Sequence, residues 1–480
     1  MKIVLVYPPI SLWERYSSDI GHSGGKQIPL GVYYLAAYVR QGGHDVCIID
    51  GEAHEMAVSD VVEKALEYKP DIIGISSTTV AFPRALETAR EIKARTPEGP
   101  VVIGGPHVTA VGEEVLSFPE FDFAILGEGE ETLKDLLDTL ASGGSPSSVK
   151  GLGYRDGTVP MINASRPFIG NLDSIPFPAY DLISDFRLYN PPPSNYKRLP
   201  VANVVTSRGC PNQCTFCGHS VFGRTLRQRS PENIAEEIKL LYHCYHVREI
   251  AFVDDTFTIN PKRIFDLFSI LNRQNIRFPW TCMSRINTVD YGTLKFMKDQ
   301  GCWHISFGIE SGDEEILRLI RKNISLEETK KVVNWCHELG IRTKGFFIIG
   351  NPGETIASID KTIRMALSLA LDDVVVTLNT PFPGTSQYQT TSDYGKMGTC
   401  DWSRFNMWNP VFVPHGLTAD ELMAKHKEFY CRFYLRPRVM WRYALSFLSR
   451  AGFRRALSVI QSIPFMFAKR KSGGRGIHAH

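Results

Sequence analysis

The sequence predicts an α/β protein: a doubly wound parallel sheet, then a second α/β unit that forms a partial barrel, then a helical C-terminal segment. Short apolar strands alternate with amphipathic helical patterns in both halves, which is typical of parallel sheets. A stretch rich in Gly, Pro and Ser separates the halves, which indicates a linker. We expect the first unit at residues 1–141, a linker with a small hairpin at 142–200, the barrel at 201–390 and a mostly helical, basic segment at 391–480.

Length and composition indicate a globular protein with more than one domain. The 480 residues are 43% hydrophobic and 22% charged, as in folded chains with sizeable cores. The net charge is only +3, but the chain from Cys431 onwards contains eleven Lys or Arg and no Asp or Glu. The N-terminus lacks the long apolar run of a signal peptide, and no 18-residue apolar stretch follows. We therefore expect a cytoplasmic protein whose cysteines are thiols.

The first 141 residues contain the loops most suited to a ligand. Strands such as KIVLVY, DIIGIS and PVVIGG alternate with helical patterns such as SDVVEKALEY. Parallel sheets of this kind bind ligands beyond the carboxyl ends of their strands. Three such loops combine glycines, which permit close backbone approach, with hydrogen-bonding groups, so we predict that they hold a large cofactor. The residues are Ser76, Ser77 and Thr78; Gly104, Gly105, Pro106 and His107; and Gly127, Glu128, Gly129 and Glu130.

Three closely spaced cysteines follow the first strand of the second unit. Cys210, Cys214 and Cys217 give the spacing Cys-x3-Cys-x2-Cys on one short loop. Thiolates so placed can ligate three irons of a cubane cluster and leave the fourth iron open to a substrate. A zinc site with His219 as fourth ligand is the alternative, but zinc ligands usually come as two separated pairs. We therefore predict that the three cysteines hold a [4Fe–4S] cluster.

This loop, with the aromatic Phe216 before the third cysteine, resembles that of the radical SAM superfamily. The likeness spans about residues 201–387 and implies a partial (β/α)6 barrel. It also implies that the open iron chelates S-adenosylmethionine (SAM), whose one-electron reduction releases a 5′-deoxyadenosyl radical. Residues at strand ends are then candidates for SAM binding, although such ends can equally be capped or solvated. They are Asp254, Asp255, Ser284, Arg285, Glu310 and Gly350.

The first unit resembles the cobalamin-binding domain of B12-dependent radical SAM enzymes. The likeness is clearest in IGGPHVTA and ILGEGEETL, and the GxGxxG fingerprint of NAD or FAD domains is absent. The Asp-x-His-x-x-Gly motif, whose histidine ligates cobalt, is absent too, since Asp50 is followed by Gly-Glu-Ala-His54. The resemblance therefore implies cobalamin bound without a histidine ligand, with His54 and His107 as outside candidates.

Together the resemblances imply a radical SAM enzyme with three cofactors: a [4Fe–4S] cluster, SAM and cobalamin. The leading expectation is a methyltransferase that C-methylates an unactivated carbon of a small or lipid-like substrate, supplied with electrons by a reductant such as flavodoxin or ferredoxin. An oxidative cyclase or ring-rearranging enzyme with the same cofactors is the alternative. A non-catalytic Fe–S or cobalamin sensor is a third hypothesis. A sensor would usually carry a nucleic-acid-binding or signalling module, and the sequence shows no nucleic-acid-binding motif, so no nucleic-acid partner is expected.

The segment 438–471 combines large apolar residues with charges that are all positive. Such a stretch can lie on an anionic membrane surface. It can equally pack its apolar side on the barrel and leave its arginines in solvent. The first interpretation predicts peripheral membrane association and favours a lipid, isoprenoid or tetrapyrrole substrate.

Overall fold

The computed structural model describes residues 1–16 and 24–446, and its first half is a seven-stranded sheet. The strands are β1 Lys2–Tyr7, β2 Asp45–Asp50, β3 Ile72–Ser76, β4 Val101–Gly104, β5 Phe123–Ile125, β6 Leu152–Asp156 and β7 Val159–Ile162. Their order is β2-β1-β3-β4-β5-β6-β7. Strands β1 to β5 are parallel, and the hairpin β6–β7 pairs antiparallel with β5.

Helices cover both faces of this sheet. They are α1 Leu12–Tyr16, α2 Leu30–Gln41, α3 Val58–Glu67, α4 Phe82–Arg95, α5 Pro106–Val111 and α6 Gly129–Ala141. Successive side chains of a strand point to opposite faces. In β1, Val4 and Val6 therefore pack in one core with α3 and α4, and Ile3 and Leu5 pack in another with α2 and α6. This arrangement is the predicted doubly wound fold.

The second sheet has six parallel strands in sequential order. They are β8 Val201–Val204, β9 Glu249–Phe252, β10 Trp280–Ser284, β11 Cys302–Glu310, β12 Arg342–Ile349 and β13 Asp373–Leu378. The helices between them are α7 Pro231–His243, α8 Pro261–Arg273, α9 Tyr291–Asp299, α10 Glu314–Leu319, α11 Leu326–Glu338 and α12 Ile356–Ser368. The predicted fold class, with a partial (β/α)6 barrel, is confirmed.

The segment between the two sheets closes the amino end of the barrel. The carboxylate of Glu249, at the start of β9, accepts hydrogen bonds from the backbone N–H groups of Lys197 and Arg198, both at 2.7 Å. Tyr180 of the same segment joins the barrel core to Tyr34 of α2, so the apolar core continues from one sheet to the other. The carboxyl ends of the barrel strands are therefore the ends available to ligands.

Up to residue 446, where the described part of the chain ends, four helices follow the barrel: α13 Ser386–Gln389, α14 Thr391–Tyr394, α15 Ala419–Tyr434 and α16 Pro437–Ser446. Helix α15 covers the edge strand β13: Tyr430 Oη accepts from Val376 N at 2.9 Å, and His426 Nε2 bonds Val376 O at 2.8 Å. A strand edge with such partners is protected from pairing with other chains. No described helix is long and apolar enough to cross a membrane.

Most of the basic segment 438–471 lies outside the described residues. The described part belongs to α16, where Met440 and Trp441 are 53% and 68% exposed. The interpretation of residues 447–471 as a packing or membrane-contacting stretch therefore stays a prediction.

Candidate functional site

An apolar cavity of about 420 Å³ lies where the carboxyl ends of the first sheet face the barrel. Its barrel wall includes Asn203 of β8, Val205 and Arg208 just beyond β8, and Val253 just beyond β9. Its other wall contains nine of the eleven loop residues predicted to hold a cofactor: Ser76, Thr78, Gly104, Gly105, Pro106, Gly127, Glu128, Gly129 and Glu130. Apolar pockets with a few polar groups are the usual form of cofactor sites.

The loop after β4 approaches its neighbour so closely that only glycine fits. Gly105 has φ +110°, and a Cβ there would lie 2.6 Å from Ser77 O. The neighbouring Thr78 Oγ1 is buried with no hydrogen-bond partner among the described residues. The Thr78 hydroxyl can therefore form a hydrogen bond with a polar group of a large cofactor that packs against this backbone.

Two of the predicted loop residues, Ser77 and His107, do not line the cavity. His107 is buried against the rings of Phe82 and Trp402, with centroids 4.5 and 5.2 Å away. Burial lowers the pKa of His107 to about 4, so its ring is neutral. His54 is exposed and bonds Ser184 Oγ at 3.4 Å. The described cavity wall contains no histidine.

The three cysteines lie on the loop that leaves β8 at the carboxyl end of the barrel. Cys214 is buried, Cys210 is half-buried and Cys217 is exposed. Asn212 Nδ2 donates to Cys210 Sγ at 3.2 Å. Within the described residues, no three His, Cys, Asp or Glu side chains converge as ligands of one metal ion. That finding concerns single-ion sites such as zinc, because each thiolate of a cubane binds a different iron.

Positive charge surrounds Cys214. Arg285 Nη1 donates to its sulfur at 3.3 Å. The hydrogen bond from Cys217, together with the charges of Lys322 and Arg285, lowers the pKa of Cys214, and the same hydrogen bond raises the pKa of Cys217. A lowered pKa favours the thiolate, which is the form that binds metal. The donor set on this loop therefore fits an iron–sulfur cluster.

Three of the predicted SAM-binding residues take part in this charged shell or lie beside it. Arg285 is buried next to Cys214 and also donates to the backbone oxygen of Lys322. Glu310, with φ +66°, forms a buried ion pair with Lys322 at 2.7 Å. Ser284 Oγ shares a hydrogen bond with Thr258 Oγ1 at 2.5 Å. A guanidinium beside the cluster loop is placed to bind a carboxylate.

The remaining predicted residues have structural partners or are open to solvent. Asp254 accepts from the N–H of Thr206 at 3.0 Å and from Ser207 Oγ at 2.5 Å, so it fixes the start of the cysteine loop. Asp255 is exposed. Gly350 has φ +82°, and its N–H donates to Glu354 Oε2. The structure thus brings Arg285 and Glu310 to the cysteine loop and gives the Asp254 carboxylate a supporting position.

A buried ionic cluster joins the cavity to the cysteine loop, and sequence reasoning assigned only half of it. Arg208 donates to Glu128 at 2.8 Å and to Glu130 at 2.5 Å. Arg227 donates to both oxygens of Glu128, at 2.9 and 2.8 Å. The two carboxylates predicted to serve the cofactor are therefore held by arginines from the barrel. Removing one partner of a buried pair typically costs about 3–5 kcal/mol.

Two other residues near the loop were missed in the sequence. Lys322 has no motif of its own and reaches the cysteines only through the fold. Gln387 donates its backbone N–H to Thr215 O at 3.1 Å, and both heteroatoms of its buried side chain lack partners among the described residues. An unpaired buried amide costs about 1–3 kcal/mol, so a water molecule or a ligand is the expected partner. The sequence signal near these residues is the spacing of the three cysteines, which begins two residues after Arg208 and marks neither Lys322 nor Gln387.

Comparisons with known proteins agree with this arrangement. A family model described as the radical SAM superfamily matches residues 204–366, and one described as a B12 binding domain matches residues 17–137. An uncharacterised methyltransferase of Pyrococcus horikoshii, PH0819, is 37% identical over 444 residues, which cover 92% of this chain and 94% of that protein. The anaerobic magnesium-protoporphyrin IX monomethyl ester cyclase of Rubrivivax gelatinosus is 29% identical over 428 residues, or 86% of this chain and 76% of that one.

A solved structure shows the same fold. The radical SAM methyltransferase TsrM from Kitasatospora setae, solved with cobalamin and a [4Fe–4S] cluster bound, superposes with a TM-score of 0.72 at 14% identity. The superposition covers 97% of this chain and 99% of TsrM. The two-unit architecture is therefore found as a whole in another protein.

Proposed function

The chain belongs to the radical SAM enzymes that carry a B12-binding domain, and from this premise we propose that it C-methylates an unactivated carbon of a small or lipid-like substrate. The observation that carries the proposal is the shared wall of the site: Arg208, two residues before Cys210, lines the same cavity as the glycine loops of the first sheet. A cofactor in the cavity would lie beside the cysteine loop.

We assign each cofactor to residues that fit it. Cys210, Cys214 and Cys217 would hold the cluster, and the cavity would hold cobalamin. Arg285 and the loop at Gly350 would contact SAM. When bound, these groups supply a 5′-deoxyadenosyl radical and a methyl group, while the chain supplies binding, orientation and exclusion of water.

The chain's own residues act through charge and position. Lys322 and Arg285 stabilise the thiolate of Cys214, and Glu310 balances the charge of Lys322 through their 2.7 Å ion pair. Glu354 Oε2 accepts from the N–H of Asn351 at 2.9 Å, which fixes the turn after β12. Its other oxygen is buried and has no partner among the described residues, so it is placed to bind a ligand.

A cyclase or ring-rearranging enzyme is the second candidate. The relative from Rubrivivax gelatinosus is a cyclase by name, and it covers 86% of this chain. A cyclase with these cofactors would generate the radical without passing a methyl group to product. The two candidates therefore differ in what becomes of the methyl group of SAM.

The partners we propose follow from this chemistry. Reductive cleavage of SAM needs one electron, which a flavodoxin or ferredoxin would deliver. Exposed Met440 and Trp441 on α16 would suit contact with a membrane or an apolar substrate.

The experiment uses the protein reconstituted anaerobically with iron, sulfide and hydroxocobalamin, then incubated with SAM and a low-potential reductant. A methyltransferase should release 5′-deoxyadenosine and, only when cobalamin is present, S-adenosylhomocysteine. A cyclase should release 5′-deoxyadenosine alone. Release of neither product would contradict both candidates. With a substrate in hand, methylation should add one CH2 unit to the product mass.

A further inference from the structure

Two arginines face each other across a short ribbon that carries the cysteine loop. Ser207–Arg208 pairs antiparallel with Arg227–Gln228, and Arg208 lies directly opposite Arg227. Like charges directly opposite each other destabilise a strand pair. Both side chains are buried, at 6% and 8% exposure of the residue, so water does not screen the repulsion. The ribbon therefore needs negative charge from elsewhere.

That charge comes from the first sheet. Glu128 accepts from both arginines and Glu130 from Arg208, which makes the group of four electrically neutral. Both carboxylates are buried, Glu128 on the loop after β5 and Glu130 in the first turn of α6. The ribbon at the base of the cysteine loop thus depends on side chains of the other unit.

The ribbon is joined tightly to the first cysteine. Gly209, between Arg208 and Cys210, has φ +83°, and a Cβ there would lie 2.3 Å from Thr225 O. The N–H of Cys210 donates to Gly223 O at 3.4 Å. A shift of Arg208 would therefore move Cys210 as well, because this close packing leaves little room for the intervening backbone to absorb it.

We propose that Arg208 is a positioning residue that couples the cavity to the cysteine loop through Glu128 and Glu130. Arg208 and both carboxylates line the cavity, so a molecule bound there contacts the side chains that hold the ribbon. Cobalamin binding and cluster formation then favour the same arrangement of the ribbon, and each strengthens the other. The inference rests on the proposed function, since it takes cobalamin and a cluster as the two ligands.

The test compares the dissociation constant of hydroxocobalamin for cluster-loaded protein with that for the same protein stripped of iron by a chelator. In the wild type we expect the cluster to tighten cobalamin binding at least about fivefold, the lower end of ordinary coupling. Glu130→Gln and Arg208→Lys should bring this ratio close to one. Arg166→Lys is the matched control, because Arg166 also binds two carboxylates, Glu131 and Asp135, but away from the cavity. It should keep the wild-type ratio.

The ratio separates coupling from a merely structural role. A structural defect would weaken cobalamin binding equally with and without the cluster and leave the ratio unchanged. A wild-type ratio near one, or a wild-type ratio in whichever of the two variants folds, overturns the coupling while the proposed function stands. Failure of both variants to fold while the control folds would also overturn the coupling, because the contact of Arg208 with Glu128 and Glu130 would then be needed for folding itself. Failure of the wild type to bind cobalamin or iron would overturn the proposed function instead.

Discussion

The two halves of the site are built in opposite ways. The cavity of the first sheet is walled by backbone and apolar side chains, with Gly104 and Gly105 at its closest approach and His107 turned into the core. The cysteine loop is built from reactive and charged side chains, with Arg285 against the sulfur of Cys214. The cavity selects its ligand by shape, and the cysteine loop selects its ligand through the sulfur atoms and charges of its side chains. Substitutions in one half should therefore leave the other cofactor in place. The exception is the bridge between the halves, which is the buried ionic cluster of Arg208, Arg227, Glu128 and Glu130.

The largest expected effect is the loss of iron from the triple variant Cys210→Ala, Cys214→Ala, Cys217→Ala. The iron content should fall from about four per chain to near zero, because no thiolate remains on the loop. The variant should still bind one cobalamin at saturating hydroxocobalamin, as read from absorption. Cys244→Ala, at an exposed cysteine outside the loop, serves as control and should keep its iron. Loss of both cofactors from the triple variant would contradict the separation of the two halves.

Glu128→Ala should have the next largest effect, on stability. It leaves Arg208 and Arg227 buried and facing each other, so we expect the free energy of unfolding to fall by about 3–5 kcal/mol. Urea denaturation of the wild type and the variant measures the change. Glu131→Ala removes one carboxylate from the half-exposed group around Arg166 and should cost less than about 1 kcal/mol. Equal losses in the two variants would show that the bridge is no stronger than a surface pair.

Gly105→Ala should weaken cobalamin binding in the cavity and leave the iron of the cysteine loop unchanged. A Cβ at 2.6 Å from Ser77 O must push the loop aside, and strain of this kind costs about 1–3 kcal/mol. We expect the dissociation constant of hydroxocobalamin to rise about tenfold, with the iron content unchanged. The control is Gly112→Ala, which also has positive φ but meets nothing within 4 Å. If both variants bound cobalamin equally well, the close approach would not shape the cavity.

An effect of similar size, on stability alone, concerns a carboxyl group of the barrel half. Burial raises the pKa of Glu354 to about 8, above its ordinary value of 4.5. Its folded form therefore holds a proton that the unfolded chain releases near pH 4.5. The stability contributed by this group is fully present below that pH and is lost as pH rises towards 8. Relative to Glu354→Gln, the wild type should lose about 1–3 kcal/mol of unfolding free energy between pH 5 and pH 8.

Denaturation of both proteins across this pH range gives the comparison, with the variant as the protein that cannot titrate at this position. A constant difference between the two proteins from pH 5 to pH 8 would mean that the carboxyl group is ionised throughout.

The same contrast explains what the sequence could and could not predict. Cys210, Cys214 and Cys217 lie within eight residues, so their spacing alone reveals the loop. The βα alternation predicted the two parallel sheets, and the glycine loops marked the cavity wall. The direction of the His107 ring was not readable, because it depends on Trp402, which packs from the far end of the chain.

Long-range pairs were out of reach for a similar reason. Glu128 and Arg208 lie 80 residues apart, and no local pattern links the two. Their contact arises only when the first sheet packs on the barrel. GEGE therefore indicated a ligand loop, whereas its carboxylates bind the neighbouring unit.

The central claim is that the cavity of the first sheet and the cysteine loop hold two different cofactors in one chain. The most direct test measures iron and cobalamin in the same sample after anaerobic reconstitution of the wild type. We predict about four irons, as in one cubane cluster, and one cobalamin per chain. Iron without cobalamin would contradict the assignment of the cavity and remove methyl transfer through cobalt from the proposed function.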